Sequence, residues 1–272
     1  MASDETVDLY GTSYGAFATE LYAEVRREAF GEDLGQNGWL TAEEQDLFLE
    51  WLALDAGDRL LDVACGSGGP TLRIARRTGA TVVGLDVHEQ GIEAARAQAR
   101  EAGIEDRADF RVADASRPLP FNDEAFVGLV CVDAVNHLAD RASVLADWRR
   151  VLAPRGGLVY TDPIVVTGAL TDGEMRVRSS IGPYLFVPEG YNEALLEEAG
   201  FELLAVEDRT ANMARIARRW REARADREGD LREVEGEETF EGQQRFLGTT
   251  ARLAEEGRLS RFVYHARLRP RA

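Results

Sequence analysis

The stretch from Arg59 to Val87 constrains the fold more than any other part of this 272-residue chain. It opens with an apolar run carrying Asp62 and passes into the turn Cys65-Gly66-Ser67-Gly68-Gly69. Helical spacing starts near Thr71, and a second apolar run, Ala80–Val87, closes on Asp86. Short apolar runs bounded by glycines read as buried strands, so the segment is strand, glycine turn, helix, strand and terminal acid. The glycines let backbone approach a ligand, and a carboxylate at the end of the second strand can accept both hydroxyls of a ribose. Together they form half of a site for an adenosine-bearing cofactor.

Two cofactors compete for that half-site. A nicotinamide fingerprint needs Gly-x-Gly-x-x-Gly, in which the third glycine permits close helix–strand packing. Gly66 and Gly68 fit, but the third position is Thr71, and Asp62 lies four residues before Gly66. A pyrophosphate favours a helix N-terminus free of nearby carboxylates. S-adenosylmethionine has no phosphate and carries an ammonium and a sulfonium, so an acid beside the turn is an advantage. The spacing Asp-x-x-x-Gly-x-Gly-Gly therefore favours S-adenosylmethionine.

The chain resembles the class I S-adenosylmethionine-dependent methyltransferases of the small-molecule kind called type 11. The matching pieces are Asp62-Val63-Ala64-Cys65-Gly66-Ser67-Gly68-Gly69, Gly84-Leu85-Asp86-Val87, Val112-Ala113-Asp114-Ala115 and Pro118-Leu119-Pro120-Phe121. Asn136-His137-Leu138-Ala139-Asp140 and Arg150-Val151-Leu152-Ala153-Pro154-Arg155-Gly156-Gly157 follow. The resemblance is close over about residues 58–163; Cys65 departs from it, standing where the family more often has Gly or Thr. It implies an α/β, Rossmann-like seven-stranded sheet in the order 3-2-1-4-5-7-6, the last strand antiparallel, with helices on both faces.

The chain is long enough for one sizeable core with decorations, or at most two small domains. A net charge of −17 argues against nucleic acid as partner, because phosphate neutralisation needs clustered positive charge. All 32 basic residues are arginine, which fits either GC-rich coding or a salt-adapted surface. No basic residue precedes Arg26, no apolar run resembles a signal peptide, and Ala125–Val132 is too short to span a bilayer. A cytoplasmic protein without a membrane partner is expected. Cys65 and Cys131 are too few for a disulfide scaffold and fit reduced thiols near the cofactor better than a redox switch.

Three regions are expected. Residues 1–57 form an N-terminal helical appendage, with helical spacing over Ala16–Phe30 and Thr41–Leu54 and a capping box at Thr41-Ala42-Glu43-Glu44. Residues 58–163 alternate strand and helix, which implies a parallel sheet covered on both faces. Residues 164–272 supply an irregular cap over Ile164–Gly190, then a helix at Tyr191–Ala199 and a strand at Phe201–Asp208. Helices at Ala211–Glu228 and Thr239–Glu255 and a strand at Leu259–Leu268 complete it. The arginine-rich Ala211–Glu228 helix interleaves acids and carries a Met213, Ile216 and Trp220 packing stripe, so it reads as a salt-bridged solvated face.

Ligands of open α/β sheets bind beyond the carboxyl ends of the strands where the order switches. Ala64, Gly66 and Gly68 would admit the methionine and ribose portions, Asp62 the ammonium side, and Asp86 the ribose diol. By resemblance, Val87 would pack on the adenine, while Asp114 and Ala115 would meet its amine. Cys131 ends the fourth strand at the same mouth. Asp133, Asn136 and His137 follow it and face the methyl group. His137 fits a general base or a residue that holds the loop or orients a substrate carboxylate. Trp39 and Tyr14 fit either closure over the site or core packing of the appendage. The cap offers Arg178, Tyr184 and Phe186, a composition suited to a small polar or zwitterionic acceptor. His88 and His265 read as structural, and no metal-ligand spacing is present. The expected activity is methyl transfer to a small molecule, on nitrogen or oxygen. The rivals are a non-catalytic S-adenosylmethionine sensor or assembly protein, and a nicotinamide oxidoreductase.

Overall fold

The computed structural model describes residues 19–269. Eight strands form one sheet: β1 (Arg59–Val63), β2 (Thr81–Asp86), β3 (Ala108–Val112), β4 (Phe126–Cys131), β5 (Leu152–Val166), β6 (Val187–Pro188), β7 (Phe201–Asp208) and β8 (Leu259–Leu268). Their order is β3-β2-β1-β4-β5-β8-β7, with the two-residue β6 added alongside β5. β8 runs antiparallel to both β5 and β7, and the other pairs are parallel. The expected seven-strand order is therefore present, and β6 is the one strand the sequence did not announce. Leu60, Leu61, Val63, Val82 and Leu85 are sealed from solvent, as strands covered on both faces require.

Helices α1 (Glu20–Phe30) and α2 (Ala42–Leu52) precede the sheet. α3 (Gly69–Thr78), α4 (Glu89–Glu101) and α5 (Arg141–Val151) connect its parallel strands. α6 (Asp172–Arg178) and α7 (Tyr191–Glu198) follow β5, and α8 (Thr210–Ala225), α9 (Glu228–Glu235) and α10 (Glu237–Glu255) link β7 to β8. Side chains of α2, α3 and α4 share one core with Leu60, Val82 and Val130, whereas α5 and α7 pack on Leu61, Val83 and Leu129 on the opposite face. Neighbouring strand residues alternate between the two layers as a period of two demands. No helix among the described residues is long and apolar enough to cross a membrane.

Four local expectations change. α1 packs on α8 and α10, so Ala29, Phe30 and Trp39 share a core with Met213, Ile216, Phe246 and Leu247; the appendage helices join the C-terminal helices in one layer. Arg224 of α8 is buried in an ion pair with Glu235, which Tyr22 also reaches at 2.6 Å, so that helix is not salt-bridged only on a solvated face. The capping box at α2 is half made. Thr41 accepts the Glu44 N–H at 3.3 Å, but the Glu44 carboxylate turns inward to Arg261 at 2.6 Å. The irregular cap is also shorter than its glycine and proline content implies: Ile164 and Val165 are fully buried continuations of β5, and Thr171 and Glu174 make a complete capping box for α6.

Gly69 shows how tightly the appendage is seated on the sheet. A Cβ there would lie 1.9 Å from the Leu34 carbonyl oxygen and 3.1 Å from Gly35 Cα, both backbone atoms. Gly69→Ala must displace the Leu34–Gly35 strand of loop. We expect a loss of about 1–3 kcal/mol, read as a lower denaturation midpoint in urea; an unchanged midpoint would show that the loop yields freely.

Candidate active site

Where β1 lies between β2 and β4 the strand order reverses, and the carboxyl ends of these strands open into a cavity of about 400 Å³. Such a switch point is where open α/β sheets place ligands, and the volume suits a cofactor-sized molecule. Asp62, Ala64, Gly66, Asp86, Val87, Asp114 and Ala115 line it, as the sequence led us to expect. Ala64 takes φ +62°, a left-handed conformation uncommon for alanine, so the turn is held in a strained shape at the cavity wall.

The carboxylates are positioned before any ligand arrives. Asp86 Oδ2 accepts the Gly66 N–H at 2.9 Å, and Oδ1 accepts the His88 N–H at 2.9 Å, fixing the group between the two turns. The Thr71 hydroxyl donates to Asp62 Oδ2 at 2.5 Å. Burial, with Asp86 nearby, raises the Asp62 pKa to about 7 despite that bond. Asp114 is the opposite case: bonds from the Ser116 hydroxyl and N–H hold its carboxyl below the usual range. No lysine or arginine is among the described residues lining the cavity, so its field is negative and favours a cation. Val87, 61% exposed at the mouth, offers an apolar platform.

A roof covers the Asp62 end. Gly35, Gln36, Asn37 and Gly38 line the cavity from above, while Gln45 and Phe48 of α2 close its side. The Gln36 amide braces the loop by accepting from Leu34 N–H at 2.8 Å and donating to the Leu40 carbonyl at 3.2 Å. Neither the Gly35–Gly38 loop nor Gln45 was singled out in the sequence; the signal that could have found the loop is the spacing of Gly31, Gly35 and Gly38 between the two appendage helices.

The other end is walled by Ala134, His137, Leu138 and Pro183. Burial depresses the His137 pKa to about 4, although a hydrogen bond to the Pro183 carbonyl works against the shift. The ring is neutral at pH 7. Tyr184 meets it edge-on at 4.8 Å between centroids.

Several residues expected here sit elsewhere. Gly68 is absent from the cavity wall: its Cβ would strike Ala95 Cβ at 2.6 Å and the Phe110 ring at 2.9 Å, so its role is close helix–strand packing. Cys131 points into the opposite core because Val130 and Val132 take the cavity side of the alternating strand. Burial pushes the pKa of both thiols well up, so each stays protonated and weakly nucleophilic. The Trp39 indole is buried, stacked 6.4 Å from Phe246 and edge-on to Trp220. Arg178, 1% exposed, donates to Thr250 Oγ1 at 2.7 Å and lies over Phe246, inside the helical layer. Phe186 and Tyr184 pack against Ile164 and Leu259, Tyr184 from behind His137. Asn136 is buried beneath the cap, its carbonyl accepting Leu185 N–H at 2.8 Å. Asp133 does line the cavity, but its carboxylate is occupied by Arg261, Thr161 and the Trp39 N–H. His88, read as structural, lines the wall, whereas His265 is stacked on Trp51 at 4.9 Å. Tyr14 lies outside the described residues. Among those residues, no group of three His, Cys, Asp or Glu side chains is placed to hold a metal ion.

A family model described as a methyltransferase domain matches residues 60–156. The 27-O-demethylrifamycin SV methyltransferase of Amycolatopsis mediterranei is 34% identical over 210 residues, 73% of this chain and 75% of its own length. The chain belongs to the class I S-adenosylmethionine-dependent methyltransferases. Another methyltransferase of the family, GfsG of Streptomyces halstedii, is 40% identical over 164 residues, and the match spans 58% of each chain. Phosphoethanolamine N-methyltransferase 2 of Haemonchus contortus, solved with S-adenosylhomocysteine, superposes with a TM-score of 0.79 at 18% identity. That match covers 96% of this chain and 60% of the other, and shows the shared fold. S-adenosylmethionine is thus the cofactor of this methyltransferase. The sensor and nicotinamide alternatives fall away.

Proposed function

We propose that the protein transfers the methyl group of S-adenosylmethionine to a hydroxyl of a largely apolar small molecule. One observation carries the choice of acceptor. The wall around His137 is apolar and its imidazole neutral, while Arg178, the cation expected to hold a zwitterion, lies inside the helical layer. An anionic or zwitterionic acceptor would lose the hydration of its negative group there with no cation to replace it. The rifamycin relative, whose name specifies a 27-O-demethyl substrate, supports the same reading.

The residues divide the work by chemistry. Asp62 pairs with the ammonium, Asp86 accepts the ribose diol, Val87 packs on the adenine, and Asp114 with Ala115 meets the adenine amine. Bound S-adenosylmethionine supplies an activated methyl group on a positively charged sulfur. The Gly35–Gly38 roof excludes water from the cofactor, and the wall of Ala134, His137, Leu138 and Pro183 holds the acceptor in line. His137, neutral at pH 7, accepts the proton leaving the hydroxyl, and Tyr184 fixes its ring. A base with a pKa of about 4 is weak, so the hydroxyl must lose its proton as the methyl group arrives rather than before. We place the reaction in the cytoplasm, where buried thiols stay reduced.

A panel of apolar alcohols and matched amines, assayed with S-adenosylmethionine, tests the acceptor class; methylation of amines alone would overturn it. His137→Gln should lower kcat by about 100-fold or more while leaving S-adenosylhomocysteine affinity unchanged. At saturating cofactor, wild-type turnover should be flat near neutrality and fall only as pH drops toward 4, where the ring becomes charged and can no longer accept a proton. A variant with full turnover would remove His137 from the mechanism.

A further inference from the structure

Arg261 lies on β8, with β4 and β5 between it and the strand that leads into the glycine turn, and its side chain is fully buried. Its guanidinium forks between two carboxylates from distant parts of the chain. Nε reaches Asp133 Oδ1 at 2.6 Å and Nη2 reaches Oδ2 at 3.3 Å, while Nη1 reaches Glu44 Oε1 at 2.6 Å. Both carboxylate side chains are only 3% exposed, and Arg209 Nε approaches Glu44 at 4.0 Å from the rim. Each arm ends on the roof of the cavity. Asp133 Oδ2 accepts the Trp39 N–H at 2.6 Å, and the same oxygen would meet a Cβ on Gly38 at 2.6 Å, so Gly38–Trp39 rests directly on this carboxylate. Glu44 belongs to the first turn of α2, which also contributes Gln45 to the wall.

We propose that Arg261 is a positioning residue that sets the closed roof of the cofactor site without touching the cofactor. A buried acid brought this close to a roof loop would repel or drift unless a fixed cation matched it. A planar fork suits that task because one guanidinium can satisfy two carboxylates in set directions, which a lysine ammonium on a flexible stem does not. Asp133 is held at φ +53°, outside the ordinary range of an L-residue, and its N–H donates to Thr161 Oγ1 at 2.6 Å. The strained turn, Thr161 and Arg261 together aim the carboxylate upward at Trp39. The Glu44 arm fixes the entry of α2 at the same time, so a single side chain couples loop and helix. This inference rests on the reading of the cavity as the cofactor site and is independent of what His137 does.

The test uses the full-length protein with S-adenosylhomocysteine as the probe. Arg261→Lys keeps the charge and removes the fork. Its dissociation constant for the probe, by calorimetry, should rise about tenfold or more. Hydrogen exchange should quicken at residues 35–45 while β1 and β2 keep wild-type protection, a pattern that loss of general stability does not produce. Unchanged affinity in the folded variant, or exchange that quickens equally in β1 and β2, overturns the proposal. If Arg261→Lys does not fold, Glu44→Gln weakens one arm alone and should give the same local pattern with a roughly threefold loss of affinity; no change in either overturns it too. Asp86→Ala separates the two ideas. If it leaves probe affinity unchanged, the cofactor-site reading fails; if it abolishes affinity while Arg261→Lys has none of these effects, only the role of Arg261 fails.

Discussion

Asp86→Ala is expected to weaken S-adenosylmethionine binding by at least about 100-fold, the largest loss from any single side chain at the site. The carboxylate already accepts two backbone N–H groups, from Gly66 and His88, each at 2.9 Å. Two oxygens offer about four lone-pair directions, so each can still take one ribose hydroxyl. Each charge-assisted bond is worth about 1.5–3 kcal/mol, and the alanine variant loses both. It also frees the Gly66 N–H, whose bond to Asp86 holds the turn in place. Asp86→Asn should fall between the two proteins, since its one carbonyl oxygen must choose between the ribose and the turn. Calorimetry with S-adenosylhomocysteine decides the matter, and wild-type affinity in the alanine variant would remove Asp86 from the site.

The parts of the molecule that were legible in the sequence are those set by near neighbours. β7 and β8 occupy the spans expected for them, Phe201–Asp208 and Leu259–Leu268, and the turn from Asp62 to Asp86 is written within one stretch of chain. Which way a side chain faces was harder. Cys131 and Val130 are equally apolar, and only the sheet layers decide that Val130 takes the cavity. Arg178 was expected at the site, and Trp39 either there or in the core of the appendage; both lie in the helical layer, where aromatic rings surround them. Least legible was Glu44, whose partner Arg261 lies 217 residues away. Its spacing from Thr41 matched a local capping pattern, and a buried cation won the carboxylate instead. Gly68 shows the reverse: a glycine expected to face the ligand supplies the close helix–strand contact for which the fingerprint reading looked to a third glycine and found Thr71.

Asp62 should make cofactor affinity depend on pH in a way no other group here predicts. Its pKa of about 7, against an ordinary value near 3.9, means the ligand-free protein carries a proton on Asp62 across the acidic range. Because the folded state holds this proton and the unfolded chain releases it, the carboxyl favours folding most at low pH. That contribution is lost as pH rises from about 4 to about 7. Cofactor binding works in the opposite sense. An ammonium beside Asp62 favours the carboxylate, so binding below pH 7 must expel the proton, at a cost of about tenfold in affinity per pH unit. Affinity for S-adenosylmethionine should therefore rise about tenfold per unit up to roughly pH 7 and level off above it. The ligand's own α-amino group begins to lose its proton near pH 8, so the clean window is about 5.5–7.5. Calorimetry in buffers of different ionisation enthalpy should also detect the released proton directly. Asp62→Asn, which keeps the shape and cannot ionise, should bind about tenfold or more weakly at pH 7.5 with a nearly flat profile below it. Should the wild-type protein bind equally well at pH 5.5 and 7.5, Asp62 would not be the group that receives the ammonium, and the negative field of the cavity would have to act through its other carboxylates, Asp86 and Asp114.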